Sequence, residues 1–141
     1  MKTVSATIQV DAPPMAVWAV LADLSHYAEW NPLFREASGE VGVGRRIRLR
    51  SVQPANGRTM TVKPKITAAE PGVELRWVSS LPGIISGEHS FALSPAGEGT
   101  RVVQSENYRG LLVPFSGKTL AGAEASFRAL NEALKNRVEA R

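Results

Sequence analysis

The sequence predicts an α+β domain in which a curved antiparallel sheet wraps around one long C-terminal helix. Three observations predict it. Across 116–141, Leu120, Ala123, Phe127, Leu130, Leu134 and Val138 recur every three or four positions, which makes one apolar stripe on a helix. Ahead of that stripe the chain offers mainly short stretches of alternating polarity, separated by glycine or proline. These stretches follow one another with short turns, as antiparallel neighbours do. A stripe of this length needs one continuous apolar surface to lie on, and a curved sheet supplies it.

Taken in order, Thr3 to Val10 alternates, with Val4, Ala6, Ile8 and Val10 on one side and Thr3, Ser5, Thr7 and Gln9 on the other. That is a strand with one wet face. Asp11-Ala12-Pro13-Pro14 ends it, with Asp11 as a cap and the prolines suited to a first helical turn. Val17, Trp18, Leu21 and Leu24 follow at helical spacing, and Ser25 can cap a second short helix carrying Tyr27 and Trp30, closed by Asn31-Pro32. Strands are then expected near 33–39, 45–53, 58–69, 73–80, 87–94 and 100–109, which with the first makes a seven-stranded sheet. Ser116 is placed to cap the long helix, and Lys118, Glu124, Arg128, Lys135 and Arg137 fall mostly on its other faces. Residues 1–141 read as a single domain without repeats, linkers or low-complexity tracts.

Composition narrows the function classes. Of the 141 residues, 43% are hydrophobic and 21% charged, ordinary values for a globular chain with a real core. No apolar run approaches the ~18 residues a membrane helix needs, so no integral membrane segment is expected. The start of the chain lacks the basic and then apolar regions of a secretory signal, and a cytoplasmic location is expected. The absence of cysteine excludes disulfides, thiolate metal sites and a cysteine nucleophile. The two histidines, His26 and His89, fall on different elements without metal-ligand spacing, so no metal and no cofactor is expected. The net charge of +4 permits weak attraction to anions. Arg46, Arg48 and Arg50 alternate with Ile47 and Leu49, which makes them the solvated face of a half-buried strand. No stacking aromatic interleaves with them, so no nucleic-acid partner is expected.

The stretch from Asp11 to Pro32, with Trp18 in its first helix and Trp30-Asn31-Pro32 at its end, resembles the opening signature of the START-like superfamily. More closely, it is similar to the polyketide cyclase/dehydrase-like branch of the SRPBCC proteins. The resemblance continues through Gly87-Glu88-His89-Ser90-Phe91-Ala92-Leu93, Gly99-Thr100-Arg101-Val102, Glu106 and Gly110 to Phe115, and so covers almost the whole chain. It implies the helix-grip fold, in which sheet and C-terminal helix enclose an apolar cavity. Members include lipid and sterol carriers, plant-hormone receptors and aromatase/cyclases, so the resemblance implies a fold more than an activity.

Alternation sorts the polar side chains by strand face. If Phe91 and Leu93 face the core, His89 does too, either as a satisfied core histidine or as a ligand-binding or proton-shuttling group. Val102, Gln104, Glu106 and Tyr108 share one face of the next strand and Val103, Ser105, Asn107 and Arg109 the other; alternation does not decide between them, and Tyr108 and the resemblance favour the Glu106 face as inward. Glu106 would then be a general acid/base or half of an ion pair with an arginine such as Arg76 or Arg48. Met60, Leu75, Trp77 and Phe91 read as sheet-side lining, and Ala123, Phe127 and Leu130 as helix-side lining. Small residues at Ala121, Gly122, Ala123 and Ala125 leave room beside the start of the helix. Ile84 and Ile85 in one apolar loop, and Leu111, Leu112, Val113 and Phe115 in another, read as lids at a cavity entrance, because surface loops are normally polar.

Three functions are compatible with this pattern. The first is binding of a small hydrophobic or amphipathic molecule of lipid, polyketide or aromatic class, oriented by His89 and Glu106. The second is a polyketide cyclase or dehydratase using the same two residues as acid and base. The third is an interaction module whose apolar loops meet a protein or membrane. The few convergent polar positions rank binding first, in a monomer or homodimer.

Overall fold

Alternation along Lys2–Val10 produces the first strand, β1, with Ala6 and Val10 buried and Thr3, Ser5, Thr7 and Gln9 exposed. The computed structural model describes residues 2–53, 56–81, 85–110 and 122–140. After β1, the prolines open helix α1 (Pro14–Leu21), with the extended Pro13 at its cap position. Asp11 therefore does not cap it. Its backbone N–H instead donates to the Glu139 carboxylate at 2.8 Å, tying the end of β1 to the far end of the chain. A 3-10 helix, Leu24–Glu29, follows with Asp23 at its cap position. Ser25 is inside it, and its hydroxyl donates to Asp23 Oδ1 at 2.8 Å, so it is not the cap either.

Asn31 ends this helical region. Its Oδ1 accepts from the N–H groups of Leu33 and Phe34, at 3.0 and 2.8 Å, and turns the chain into β2 (Phe34–Ser38). Six more strands follow: β3 (Arg48–Val52), β4 (Thr59–Val62), β5 (Lys65–Glu70), β6 (Glu74–Leu81), β7 (Ile85–Ala96) and β8 (Gly99–Arg109). They form a five-stranded antiparallel sheet in the order β1-β8-β7-β6-β5 and a three-stranded sheet in the order β2-β3-β4.

The described strands number eight rather than seven, because the single strand expected over 58–69 is two. Pro64 has no N–H to give to a ladder, and it separates β4 from β5. Its carbonyl accepts from Ile47 N–H at 3.0 Å, beside a bridge between Arg46 and Lys65, so the two sheets meet at this break. Glycine is required where β8 begins: a Cβ at Gly99 would lie 2.4 Å from the Val10 carbonyl oxygen. As the alternation implies, Ile47 and Leu49 are buried while Arg46, Arg48 and Arg50 are exposed.

The C-terminal helix, α2 (Ala123–Glu139), starts later than expected. Gly122, at φ 82°, holds its cap position, and Ser116, the expected cap, lies outside the described residues. Lys118, Leu120 and Ala121 lie outside the described residues. Within the described residues the stripe is as read: Ala123, Phe127, Leu130, Leu134 and Val138 are buried, the last four in one core with β1, β6, β7, β8 and α1. Ala125 lies on the exposed side of α2 and leaves no space beside the sheet. Among the described residues, no helix is long and apolar enough to cross a membrane.

Candidate functional site

The antiparallel register of β7 and β8 sets His89 directly opposite Glu106, and Gly87 opposite Tyr108. On β6, Trp77 pairs with His89. Period-two alternation then turns Trp77, His89, Phe91, Gln104 and Glu106 toward the same interior. Across from them, α2 brings Phe127 over the sheet. The result is an imidazole enclosed by four aromatic rings. Trp77 stacks on it at 5.5 Å and 15°, and Phe34, Phe91 and Phe127 surround it with centroids at 5.4, 5.1 and 5.0 Å.

His89 is only 2% exposed, and both ring nitrogens have partners. Nδ1 lies 3.3 Å from Glu106 Oε1, and Nε2 lies 3.0 Å from Gln104 Oε1. Gln104 in turn donates from Nε2 to the Phe127 carbonyl at 3.0 Å and to Asn131 Oδ1 at 2.8 Å. Asn131 donates from Nδ2 to the Ala6 carbonyl at 3.1 Å. One unbroken polar chain therefore runs from Glu106 through the sheet to the helix. Buried polar groups survive in such an interior because each is satisfied.

Glu106 is the member of the chain nearest to solvent, its side chain 18% exposed. Tyr108 donates its hydroxyl to Glu106 Oε1 at 3.0 Å. Burial, and after it the neighbouring Glu106 charge, push the Tyr108 phenol far above its ordinary range, so it acts as a donor. The arginine partners considered for Glu106 are elsewhere. Arg76 is 3.8 Å from Glu74, and Arg48 is exposed. Histidine and tyrosine take that place.

The structure thus gathers Trp77, His89, Phe91, Glu106, Tyr108 and Phe127 into one cluster, and adds Phe34, Gln104 and Asn131. Leu75, Ala123 and Leu130 are buried in the surrounding core. Met60 does not belong with them. It shares a sheet face with Val62 and, by register, with Leu49, but it sits toward the outer end of β4 and is 45% exposed. The expected entrance residues Ile84, Leu111, Leu112, Val113 and Phe115 lie outside the described residues, as does the side chain of Ile85. His26 is on the surface, half-exposed beside Asp23. A separate surface cleft of about 600 Å³, lined in part by Trp30, Asn31, Arg35 and Arg50, shares no residue with the cluster.

Phe34, Gln104 and Asn131 were not singled out from the sequence. A signal existed for two of them. Gln104 shares its strand face with Glu106, and Asn131 follows Phe127 by one helical turn, next to the apolar stripe. Phe34 had none, because its place depends on how β2 folds over the main sheet.

Fold and cluster together define a helix-grip protein with a polar chain inside an aromatic interior. The chain belongs to the family described as polyketide cyclase / dehydrase and lipid transport, whose model matches residues 1–139. Solved structures agree on the fold. An aromatase/cyclase from a Streptomyces species is 21% identical with a TM-score of 0.79, over 99% of this chain and 94% of that one. A START superfamily protein from Mycobacterium smegmatis is 20% identical with a TM-score of 0.75, over 98% and 97%. A protein from Mesorhizobium loti is 20% identical with a TM-score of 0.80, over 99% and 98%. Among curated proteins, none matches the sequence significantly.

Proposed function

We propose that this protein binds a small hydrophobic or amphipathic molecule, of lipid, polyketide or aromatic class, between its sheet and α2. The observation that carries the reading is Glu106: a carboxylate held at the edge of an otherwise aromatic interior by His89 and Tyr108. Apolar walls supply affinity in proportion to the ligand surface they cover, and one fixed polar group supplies orientation. Trp77, Phe91 and Phe127 would form the walls. The family's description, which includes lipid transport, is consistent with this role. The reading places the protein in the cytoplasm, as a monomer or homodimer without a nucleic-acid partner.

Native mass spectrometry of protein purified from its own host, followed by solvent extraction, tests the reading. A stoichiometric small molecule of low polarity is expected. An empty protein that also takes up no fatty acid, quinone or polycyclic aromatic probe would overturn it.

A second reading is favoured by the same pair of residues. A carboxylate hydrogen-bonded to an imidazole can move a proton, as a cyclase or dehydratase requires. Glu106→Gln separates the two: a carrier loses affinity, whereas an enzyme loses turnover while still binding its substrate.

A further inference from the structure

Two backbone carbonyls set the polarity of the buried chain. The oxygens of Ala6 and Phe127 can only accept, so the atoms facing them at 3.1 and 3.0 Å are N–H groups of Asn131 and Gln104. Asn131 must then turn Oδ1 toward Gln104, which uses its two amide hydrogens on Phe127 O and Asn131 Oδ1. What remains for His89 is the Gln104 carbonyl oxygen, 3.0 Å from Nε2. Nε2 must therefore carry hydrogen. Turning both amides over would set Gln104 Oε1 against Phe127 O and Asn131 Oδ1 against Ala6 O, two buried contacts between acceptors.

The consequence falls on Glu106. His89 Nδ1 faces Glu106 Oε1 at 3.3 Å. With no proton between them, two lone pairs would meet; with two protons, two hydrogens would meet. One proton satisfies the contact, either on the imidazole beside a carboxylate or on the carboxyl oxygen beside a neutral imidazole. Tyr108 donates to the same Oε1 in both states. Oε2, which has no hydrogen-bond partner among the described residues, is an acceptor in both. It lies over Gly87, where the missing side chain leaves room for it.

We infer that Asn131 and Gln104 lock His89 with hydrogen on Nε2, that His89 Nδ1 and Glu106 Oε1 share one further proton, and that Glu106 Oε2 is thereby set as the acceptor for a hydroxyl group on an apolar ligand. The ligand half of this inference rests on the binding function proposed above. The proton half stands without it. Asn131, Gln104 and His89 are positioning residues in this arrangement, and Glu106 is the residue that touches the ligand.

Two measurements on the intact protein test the halves separately. Two-bond proton–nitrogen correlation of the histidine rings, with the carboxyl carbon shift of Glu106, reads the proton positions directly. The expected result at neutral pH is a protonated Nε2, with either a protonated Nδ1 and ionised Glu106 or a bare Nδ1 and protonated Glu106. A neutral ring protonated on Nδ1, or a bare Nδ1 beside an ionised Glu106, would overturn the proton assignment. Titration with 1-naphthol and with naphthalene reads the hydroxyl preference. The hydroxylated probe is expected to bind about three- to a hundredfold more tightly, the range of one hydrogen bond to a neutral or a charged acceptor. Equal affinities would overturn the hydroxyl assignment and leave the binding function standing; no binding of either probe would count against both.

Discussion

The carboxylate of Glu106 occupies the space that a side chain at Gly87 would need. A Cβ built there would lie 2.7 Å from Oε2, closer than unbonded atoms tolerate. With no side chain of its own, Gly87 leaves that space to the Glu106 carboxylate. Gly87→Ala should displace the carboxylate from His89 and destabilise the protein by about 1–3 kcal/mol, as overpacking does. Urea denaturation reads the loss and the His89 ring signals read the displacement. Unchanged stability with unchanged ring signals would mean that the added methyl group fits without moving the carboxylate.

Gln104 and Asn131 should behave as one unit. Replacing either by leucine strands buried partners, at about 1–3 kcal/mol each. Once one link is gone the other has less to support, so the double variant should lose less than the sum, with a coupling of about 0.5–3 kcal/mol. Losses that simply add would break the chain into independent contacts.

Phe127→Ala tests the helix side of the aromatic enclosure. Phe127 is buried against the His89 ring, and truncation should cost about 3–5 kcal/mol. A negligible loss in thermal or urea unfolding would show that the ring lines open space.

The surface pair His26 and Asp23 should give a pH signature away from the site. His26 Nδ1 is 2.7 Å from Asp23 Oδ2. The hydrogen bond that His26 donates to Asp23, and then the Asp23 charge, raise the His26 pKa above the usual 6.5; the same hydrogen bond lowers Asp23 below 3.8. A raised histidine value means that folding favours the protonated form. Its contribution is full below 6.5 and is lost as pH rises through the higher folded value. Asp23 contributes above 3.8 and loses its contribution as pH falls through the lower folded value. Both side chains are about half exposed, so salt should weaken the effect. An NMR titration should place His26 above 6.5, moving back toward it in Asp23→Asn; a midpoint at or below 6.5 in the parent protein would contradict the pairing.

Much of this was legible from local pattern. The apolar stripe of α2 and the alternation on β1 and β3 are consequences of periodicity, and they hold because one face of each element must leave water. The inward orientation of His89 followed from Phe91 and Leu93 in the same way. Met60 shows the limit. Alternation gives the face a residue occupies, but not how far along the sheet the core extends, and β4 carries Met60 toward solvent. The start of α2 shows another limit, since periodicity alone does not mark the glycine at positive φ that holds its cap position.

The sequence by itself determined most of the element order, the family resemblance and the inward faces of β1, β3, β7 and α2, because these depend on spacings within single segments. Only the tertiary structure decided what the inward polar residues do. Glu106 was open between an arginine ion pair and an acid/base role until the register of β7 against β8 set it opposite His89. Gln104 acquired its meaning only when α2 brought the Phe127 carbonyl and Asn131 within hydrogen-bond reach. Hydrogen bonds depend on distance and direction between atoms from β1, β7, β8 and α2, which lie far apart in the chain, and no local periodicity encodes them.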